Sequence, residues 1–254
     1  MSNAELIAEA GKIVNVAAKD APLTVRGLTV SYGNKPAVFS VDAPIPAGSM
    51  TAIIGPNGAG KSTLLNVIVG RLSPSRGRVL LGDQVLTGKE PHEINQLGVA
   101  RVFQTPEIFP ELSLLQNVMV PAFAKREGIF KMNFIKSLFS EKEVLEHAEH
   151  LLEDVGLLQH KDHLAGSMSR GDKRRLELAM CLGQQPKLFL LDEPTAGMSR
   201  HDTNRTIDLL KRIKERGMTK VIIEHDMHVV FSLADRISVL AQGAIICEGT
   251  PEEV

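Results

Sequence analysis

The chain has 254 residues, which is enough to bury a full hydrophobic core as one large α/β domain or as a domain with a subdomain. Its formal net charge of -1 gives no general attraction to nucleic acid, so nucleic acid is not an expected partner. The two cysteines, Cys181 and Cys247, lie in apolar sequence without the spacing of a disulfide or a metal site, which predicts reduced core thiols and a cytoplasmic setting.

Residues 1–22 are predicted to form an N-terminal tail. Apolar residues between Leu6 and Ala17 fall at helical spacing, so a short amphipathic arm is the alternative. The segment has no basic start and no continuous apolar core, and it does not resemble a secretory signal. No run of about 18 apolar residues occurs in the chain, so we expect membrane association to go through a partner.

Residues 23–48 contain short alternating strands separated by turns, and they predict an antiparallel sheet at the start of the domain. Tyr32, the only tyrosine, lies at the end of one of these strands. Its ring could stack on a nucleobase, although core packing is the commoner role of a lone aromatic residue.

A glycine-rich segment after the apolar run 50–54 has the pattern of a phosphate-binding loop. It leads into a helix with an apolar face, the context that such a loop requires, because backbone N–H groups and the helix dipole then point at a polyphosphate. Lys61 would reach the outer phosphates and the Ser62 hydroxyl would ligate Mg²⁺. The predicted nucleotide-binding residues of the segment are Gly55, Pro56, Asn57, Gly58, Ala59, Gly60, Lys61, Ser62 and Thr63.

Gln104 directly follows a second apolar strand, 98–103. Its amide oxygen could reach a metal ion or an attacking water from the end of that strand. A surface glutamine is the ordinary alternative.

The sequence becomes helical between residues 110 and 166, which indicates an inserted helical subdomain. Ser140 and Glu143 have the spacing of a capping box ahead of an apolar stripe. Phe130, Phe134 and Leu138 share one helical face, which could dock a membrane partner or lie on lipid; packing within the subdomain is the favoured interpretation.

The segment that begins at Ser169 predicts a second phosphate receptor. Ser169 is a good N-cap and Asp172 follows three residues later, so helix capping explains both residue types. Capping does not explain Gly171, which costs stability in a first helical turn unless another group approaches its backbone closely. A helix start with a hydroxyl and free N–H groups can bind phosphate.

Two acidic residues, Asp192 and Glu193, directly follow a third apolar strand, 188–191. Ligands gather at the carboxyl ends of parallel strands, and two adjacent acids there predict a magnesium ligand, Asp192, followed by a residue that orients or deprotonates water, Glu193. A solvated acidic turn is the alternative. His225 follows a fourth apolar strand, 220–223, and is predicted to contact the γ-phosphate at the same edge.

With these residues identified, the chain resembles the ATP-binding cassette (ABC) family of ATPases over about residues 23–254. The matching elements are the adenine-stacking aromatic Tyr32, the Walker A loop at 55–62, the Q-loop Gln104, the Walker B strand at 188–192, the catalytic base Glu193 and the switch His225. The resemblance implies an α/β P-loop NTPase with a mixed central sheet, an N-terminal antiparallel β subdomain and an inserted helical subdomain at about 110–183. It also implies that ATP and Mg²⁺ are bound, with Mg²⁺ held by Ser62, Gln104 and Asp192.

The segment 168–172 occupies the place of the family signature Leu-Ser-Gly-Gly-Gln, with Met168, Arg170 and Asp172 as departures. Ser169 and Gly171 keep the hydroxyl and the close-approach glycine, so the resemblance implies that Ser169, Gly171 and Asp172 contact nucleotide held by a second cassette, identical or related, in a head-to-tail dimer. Ser199 stands where the family usually has the D-loop aspartate, so the chain departs from the family at a position that the resemblance assigns to coupling between the two cassettes.

Further segments, among them 109–113, 193–198 and 248–252, resemble the ATPase subunits of branched-chain amino acid importers and of their amide or urea relatives. The resemblance implies transmembrane permease partners, an indirect periplasmic or extracellular solute-binding protein, and a peripheral location at the cytoplasmic face of the cell membrane. Such a subunit would couple closure of the ATP-bound dimer to import of a small polar solute.

Two other classes remain open. A soluble ABC ATPase acting in translation or DNA maintenance would normally contain two cassettes or a long coiled-coil insertion, and neither is visible in the sequence. A phosphotransferase such as a nucleotide kinase would not need a second phosphate-receptor helix or the Asp192–Glu193 pair.

Overall fold

The structure, a computed structural model, describes residues 22–254 except residues 34, 128–141 and 216. Three sequence predictions fall outside the described residues. They are the tail through residue 21, the capping box that begins at Ser140, and the apolar face of Phe130, Phe134 and Leu138.

The N-terminal half builds a four-stranded antiparallel sheet in the order β2-β1-β4-β5. Its strands are β1 (Leu23–Tyr32), β2 (Lys35–Ile45), β4 (Arg76–Leu81) and β5 (Gln84–Val85). The short strands predicted between residues 23 and 32 form one strand, β1. Its pairing with β2 shifts register between Val25 and Leu28 and at two further points between Leu28 and Ser31. The antiparallel sheet predicted from the alternating pattern is therefore present.

A second, six-stranded sheet has the order β10-β9-β3-β8-β7-β6. Its strands are β3 (Met50–Ile54), β6 (Val99–Val102), β7 (Leu188–Asp192), β8 (Thr219–Ile223), β9 (Arg236–Ala241) and β10 (Ala244–Gly249). Strands β9 and β10 pair antiparallel and the other neighbours pair parallel, so the sheet is mixed. The parallel strands end at the same edge, where ligand chemistry gathers in α/β sheets.

The helices of the described residues are α1 (Lys61–Ile68), α2 (Pro91–Gln96), α3 (Leu114–Glu127), α4 (Lys142–Asp154), α5 (Arg170–Gly183), α6 (Arg200–Glu215) and α7 (Met227–Leu233). Helices α3, α4 and α5 lie between β6 and β7 in the chain and pack against one another. Within the described ranges, no helix combines the length and the apolar character needed to cross a bilayer.

Strand β7 separates two hydrophobic cores. Its residues alternate, with Leu188 and Leu190 packing on the side of the antiparallel sheet and Phe189 and Leu191 on the side of α3 to α5. Because all four are fully buried, a one-residue slip would exchange the two faces and their packing partners. The register of β7, and with it the position of the acidic residues at its end, is fixed by this packing.

The prediction that both cysteines are core thiols is wrong for Cys247. Cys181 is buried in the helical core, but Cys247 is exposed, and both are free. Cys247 lies on β10, the edge strand of the six-stranded sheet, which has a neighbouring strand on only one side. Local apolar sequence around Cys247 therefore did not indicate burial.

Candidate active site

The glycine-rich loop lies between β3 and α1 and depends on glycine at two positions. Gly55 and Gly60 have φ angles of 146° and 106°, in a region that residues with side chains rarely adopt. A Cβ atom on Gly55 would lie 1.9 Å from the Leu240 carbonyl oxygen, and one on Gly60 would lie 2.4 Å from the Ala37 oxygen. The loop backbone can take this path only without those side chains.

Lys61 is the first residue of α1, and its side chain folds back against the loop. Its Nζ donates hydrogen bonds to the carbonyl oxygens of Gly55, at 2.7 Å, and Pro56, at 2.9 Å. The residue is only 6% exposed. Burial lowers the pKa of Lys61, and the charges of Glu193 and Asp192 oppose that shift. A buried cation is thus held in the loop close to two carboxylates.

The carboxylate of Asp192, at the end of β7, forms a buried ion pair with Arg101 of β6. Arg101 Nη2 lies 2.6 Å from Asp192 Oδ2, with the two side chains 7% and 9% exposed. Arg101 Nη1 also donates to Asn66 Oδ1 on α1, at 2.7 Å. Arg101 therefore joins the end of β7 to the helix that follows the phosphate loop.

Glu193 follows Asp192 and receives hydrogen-bonding groups from two other strand ends. Gln104 Nε2 donates to Glu193 Oε2 at 3.0 Å, and His225 Nε2 lies 3.0 Å from Glu193 Oε1. The Glu193 N–H donates to the Ile223 carbonyl oxygen at 2.9 Å. Its φ of 48° is left-handed, which costs a residue with a side chain about 1–2 kcal/mol.

Neighbouring strands bring these groups together. In the order β3-β8-β7-β6, the strand ends lead respectively to the phosphate loop, to His225, to Asp192 and Glu193, and to Gln104. The four sequence predictions made from strand ends therefore meet at one edge of one sheet. A buried lysine, a half-buried glutamate, an amide and an imidazole there can bind a polyphosphate and orient water beside it.

The donor set at this edge suits Mg²⁺ bound together with phosphate. No cluster of three or more His, Cys, Asp or Glu side chains that could hold a metal ion occurs in the described part of the chain. Mg²⁺ usually takes one or two carboxylates and completes its shell with water and phosphate oxygens. Asp192 offers such a carboxylate with Oδ2 engaged by Arg101, Ser62 is exposed in the first turn of α1, and Gln104 adds an amide.

The predicted second phosphate receptor lies at the start of α5 and bonds locally. Ser169 is the N-cap: its Oγ accepts the Asp172 N–H at 3.2 Å and donates to Asp172 Oδ2 at 2.7 Å. Arg175 forms an ion pair with Asp172 Oδ1. A Cβ on Gly171 would lie 3.5 Å from the Asp202 carboxylate, an ordinary contact, so packing within the chain does not require glycine there.

Tyr32 lies at the end of β1 with 58% of its surface exposed. The alternative of a buried core aromatic is therefore wrong for this residue, because the strand end places its ring at the surface. The ring is open to a ligand from solvent.

Sequence reasoning missed a buried charged pair on α5, Arg174 and Glu177. Arg174 Nη1 lies 2.8 Å from Glu177 Oε2, and the two residues are 4% and 2% exposed. Burial raises the pKa of Glu177 against the opposing effect of the Arg174 guanidinium. The run 173–175 has the sequence of a solvated basic face. However, Arg174 and Glu177 lie on the same helical stripe as the apolar residues Leu178 and Cys181, and this spacing is the sequence signal that indicates their burial.

Comparison with known proteins places this site in a family context. The sequence profile of the ABC transporter family matches residues 38–196. The chain is 36% identical over 240 residues to the high-affinity branched-chain amino acid transport ATP-binding protein BraF of Pseudomonas aeruginosa, covering 91% of this chain and 92% of that protein. It is also 36% identical over 236 residues to the protein LivG of Escherichia coli, which carries the same description, with the same coverage.

Solved structures give the same result. The ADP conformation of an ATP-binding cassette of an ABC transporter has a TM-score of 0.78 and 34% identity, with 91% of each chain covered. A dimeric structure of a bacterial ABC transporter cassette has a TM-score of 0.76 and 26% identity, covering 90% of this chain and 98% of that one. The fold predicted from the sequence is thereby confirmed.

Proposed function

The chain belongs to the ABC transporter family, and from this premise we propose that it is the ATP-hydrolysing subunit of an importer for branched-chain amino acids. ABC ATPases bind and hydrolyse nucleotide, and BraF and LivG are named as ATP-binding proteins of high-affinity branched-chain amino acid transport. The observation that carries the proposal for this chain is the Glu193 carboxylate, which lies between Gln104 and His225 beside the phosphate loop.

We assign nucleotide binding to the loop and to Tyr32. The backbone N–H groups of 55–63 and the positive end of α1 would cradle the phosphates, and Lys61 would neutralise the outer ones. The exposed ring of Tyr32 would stack on the adenine. The positive φ angles of Gly55, Gly58 and Gly60 support this assignment, because they let the backbone curl so that its N–H groups can face a phosphate.

We assign hydrolysis to Glu193 as the general base. Its carboxylate would accept a proton from the water that attacks the γ-phosphate, while Gln104 orients that water. His225 would donate to the γ-phosphate and stabilise the charge that develops on it. Contacts to both oxygens of Glu193 support the assignment, since they fix the direction of the carboxylate before substrate arrives.

Asp192, Ser62 and Gln104 are the residues that would hold Mg²⁺. When bound, Mg²⁺ would neutralise charge on the β- and γ-phosphate oxygens. Arg101 keeps Asp192 in place through Oδ2, which leaves the other oxygen for the metal shell.

The family context supports a cassette dimer, and dimeric cassettes are known among the structural neighbours. We propose that Ser169, Gly171 and Asp172 at the start of α5 contact ATP held by the second cassette, identical or related. The bond network at Ser169 and Asp172 supports a preformed helix start, and the Arg175 ion pair offsets the negative charge that Asp172 brings toward a phosphate.

We further propose permease subunits as membrane partners and a location at the cytoplasmic face of the membrane. A neighbouring structure, cbiO1 from Clostridium perfringens, is described as part of an ABC transporter complex, which supports such an assembly. An external solute-binding protein would deliver the solute. In this proposal residues 1–22 are a tail and residues 23–254 one ATPase domain, with a helical subdomain at about 110–183. An importer for amides or urea is the second candidate.

Co-purification tests the transport assignment. Tagged Glu193→Gln protein, held in ATP, would be purified from native membranes. A known importer cassette, purified separately in the same way, serves as the control. Two permeases and a second cassette are the expected partners, and the associated binding protein would bind leucine, isoleucine or valine rather than amides or urea. Recovery of only ribosomes, DNA factors or soluble enzymes, while the reference cassette keeps its permease, would contradict the transport assignment.

A further inference from the structure

We propose that Arg174, on helix α5, is a positioning residue for ATP hydrolysis. Its side chain fixes the backbone segment that carries Glu193. The inference rests on the role proposed above for Glu193 as the general base. Arg174 lies in neither the phosphate loop nor the residues assigned to the metal. Its contacts nevertheless converge on the chain segment of the base.

The guanidinium of Arg174 binds three consecutive carbonyl groups around Glu193. Nη2 donates to the carbonyl oxygens of Asp192 at 2.7 Å and of Glu193 at 2.8 Å. Nε donates to the Pro194 oxygen at 3.1 Å. A guanidinium presents its donors in a rigid planar fork, so one side chain can hold three successive peptide groups in a single arrangement.

These contacts act where the backbone is strained. Glu193 has a left-handed φ of 48°, a conformation that persists only where its surroundings enforce it. Arg174 holds its carbonyl group, and the Ile223 carbonyl oxygen accepts its N–H at 2.9 Å. Both peptide groups of Glu193 are therefore fixed, which sets the direction in which its side chain leaves the strand.

The same side chain also fixes the partner of the base. Arg174 Nη1 donates to the Phe103 carbonyl oxygen, and Glu177 Oε1 accepts the Phe103 N–H at 3.0 Å. The next residue, Gln104, donates to Glu193 Oε2. The Arg174–Glu177 pair therefore holds the segments of both Gln104 and Glu193, the two groups that would share the attacking water.

A purely structural ion pair is the competing explanation. For a structural ion pair, Glu177 and any acceptors nearby would satisfy the Arg174 guanidinium. Arg174 instead directs three of its N–H donors to the carbonyl oxygens of residues 192–194. Arg174 also lies about one and a half helical turns after Ser169, the N-cap of the same helix. A displacement of the start of α5 would therefore be transmitted directly to the base of the same chain.

The variant Arg174→Lys tests this inference, because lysine keeps the charge opposite Glu177 but loses the planar fork. We expect kcat for ATP hydrolysis to fall about 10- to 100-fold, as small misplacements of catalytic groups do, while KM and ATP affinity stay within about twofold. The matched control is Arg212→Lys, which also removes a guanidinium bond to a carbonyl oxygen, that of Asp154, away from the site. The control should keep the wild-type kcat.

A double-mutant cycle separates positioning from general destabilisation. Single-turnover hydrolysis would be measured for the wild type, Arg174→Lys, Glu193→Gln and the double variant. If Arg174 acts through Glu193, Arg174→Lys adds little to the loss already caused by Glu193→Gln. The inference would be overturned if the losses of the two single variants multiplied in full in the double variant. A wild-type kcat in Arg174→Lys would also overturn it, as would a rise in KM as large as the fall in kcat.

A second variant covers the case in which Arg174→Lys does not fold. Arg174→Met with Glu177→Gln removes both buried charges together and keeps an acceptor for the Phe103 N–H. It should show the same fall in kcat with unchanged ATP affinity, and wild-type hydrolysis by this variant would overturn the inference. Wild-type hydrolysis by Glu193→Gln would instead overturn the base assignment itself, so the two failures are distinguishable.

Discussion

His225 Nε2 lies 3.0 Å from Glu193 Oε1, although the two residues are 32 positions apart in the chain. They follow the neighbouring parallel strands β7 and β8, whose pairing in register extends to Asp192 and Ile223. The contact between them is therefore set by the sheet. The side chain of His225 remains 43% exposed in this contact, so a phosphate could approach the imidazole from solvent.

Replacement of His225 by Ala should slow hydrolysis. We expect kcat to fall about 100-fold or more, because removing one donor that stabilises charge developing in the transition state costs about 10²–10³ in kcat. ATP affinity should change little, since the loop and Lys61 remain. His228→Ala is the control: this histidine is exposed nearby on α7 and contacts Asp226 only through its backbone. Equal rates for both variants would remove His225 from the mechanism.

Replacement of Lys61 by Ala should weaken nucleotide binding. The side chain supplies a buried cation within the loop, and its loss should reduce ATP affinity at least about tenfold, equal to ~1.4 kcal/mol. Titration with a fluorescent ATP analogue measures the effect. Lys211→Ala removes an exposed lysine on α6 and should bind as the wild type does. An unchanged affinity in Lys61→Ala would place the phosphates elsewhere.

Lys220 should make the stability of the protein depend on pH. It is fully buried in β8, where Nζ donates to the Met218 carbonyl oxygen, and burial lowers its pKa from 10.5 to about 8. Below pH 8 both states carry the charge and folding bears the full cost of burying it. Between about 8 and 10.5 the folded state has lost the proton while the unfolded state keeps it, so the free energy of unfolding rises with pH.

The variant Lys220→Met should remove that rise. At pH 7 it should increase the free energy of unfolding by about 1–3 kcal/mol, since one pKa unit corresponds to ~1.4 kcal/mol. Urea unfolding at several pH values between 7 and 10 measures the difference, with Lys211→Met as an exposed control. Parallel pH profiles of the wild type and Lys220→Met would show that Lys220 does not titrate in this range.

The two cysteines should differ in reactivity. Cys247 is exposed on the edge strand β10, whereas burial raises the pKa of the Cys181 thiol strongly. A thiol reagent should therefore label one thiol per native chain and two after denaturation. Cys247→Ser should abolish labelling of the native protein. Persistent labelling of that variant would mean that Cys181 is accessible in solution.

Strand ends were the part of the site that local sequence could predict. Gln104, Asp192, Glu193 and His225 each stand at or near the end of an apolar run, and parallel strands bring such ends together. The contacts of Arg174 depend instead on how α5 packs across the ends of β6 and β7. Charged residues on a helix are usually solvated, so only tertiary packing reveals this one as buried.

For Arg101 the sequence itself indicates a buried charge. It interrupts the apolar strand β6, and a charge in a buried strand requires a partner of opposite charge. The partner, Asp192, is 91 residues away, so its identity depends on the neighbouring positions of β6 and β7 in the sheet. The core prediction for Cys247 fails for a different reason, because its apolar segment lies at the edge of a sheet.

The role of Glu193 as the general base is tested most directly by ATP turnover of the purified wild type and of Glu193→Gln, with ATP binding measured on the same samples. The variant should bind ATP as tightly as the wild type and hydrolyse it about 10²–10⁴ times more slowly. Hydrolysis by Glu193→Gln at the wild-type rate, with ATP bound, would contradict the assignment of the base and the mechanism built on it.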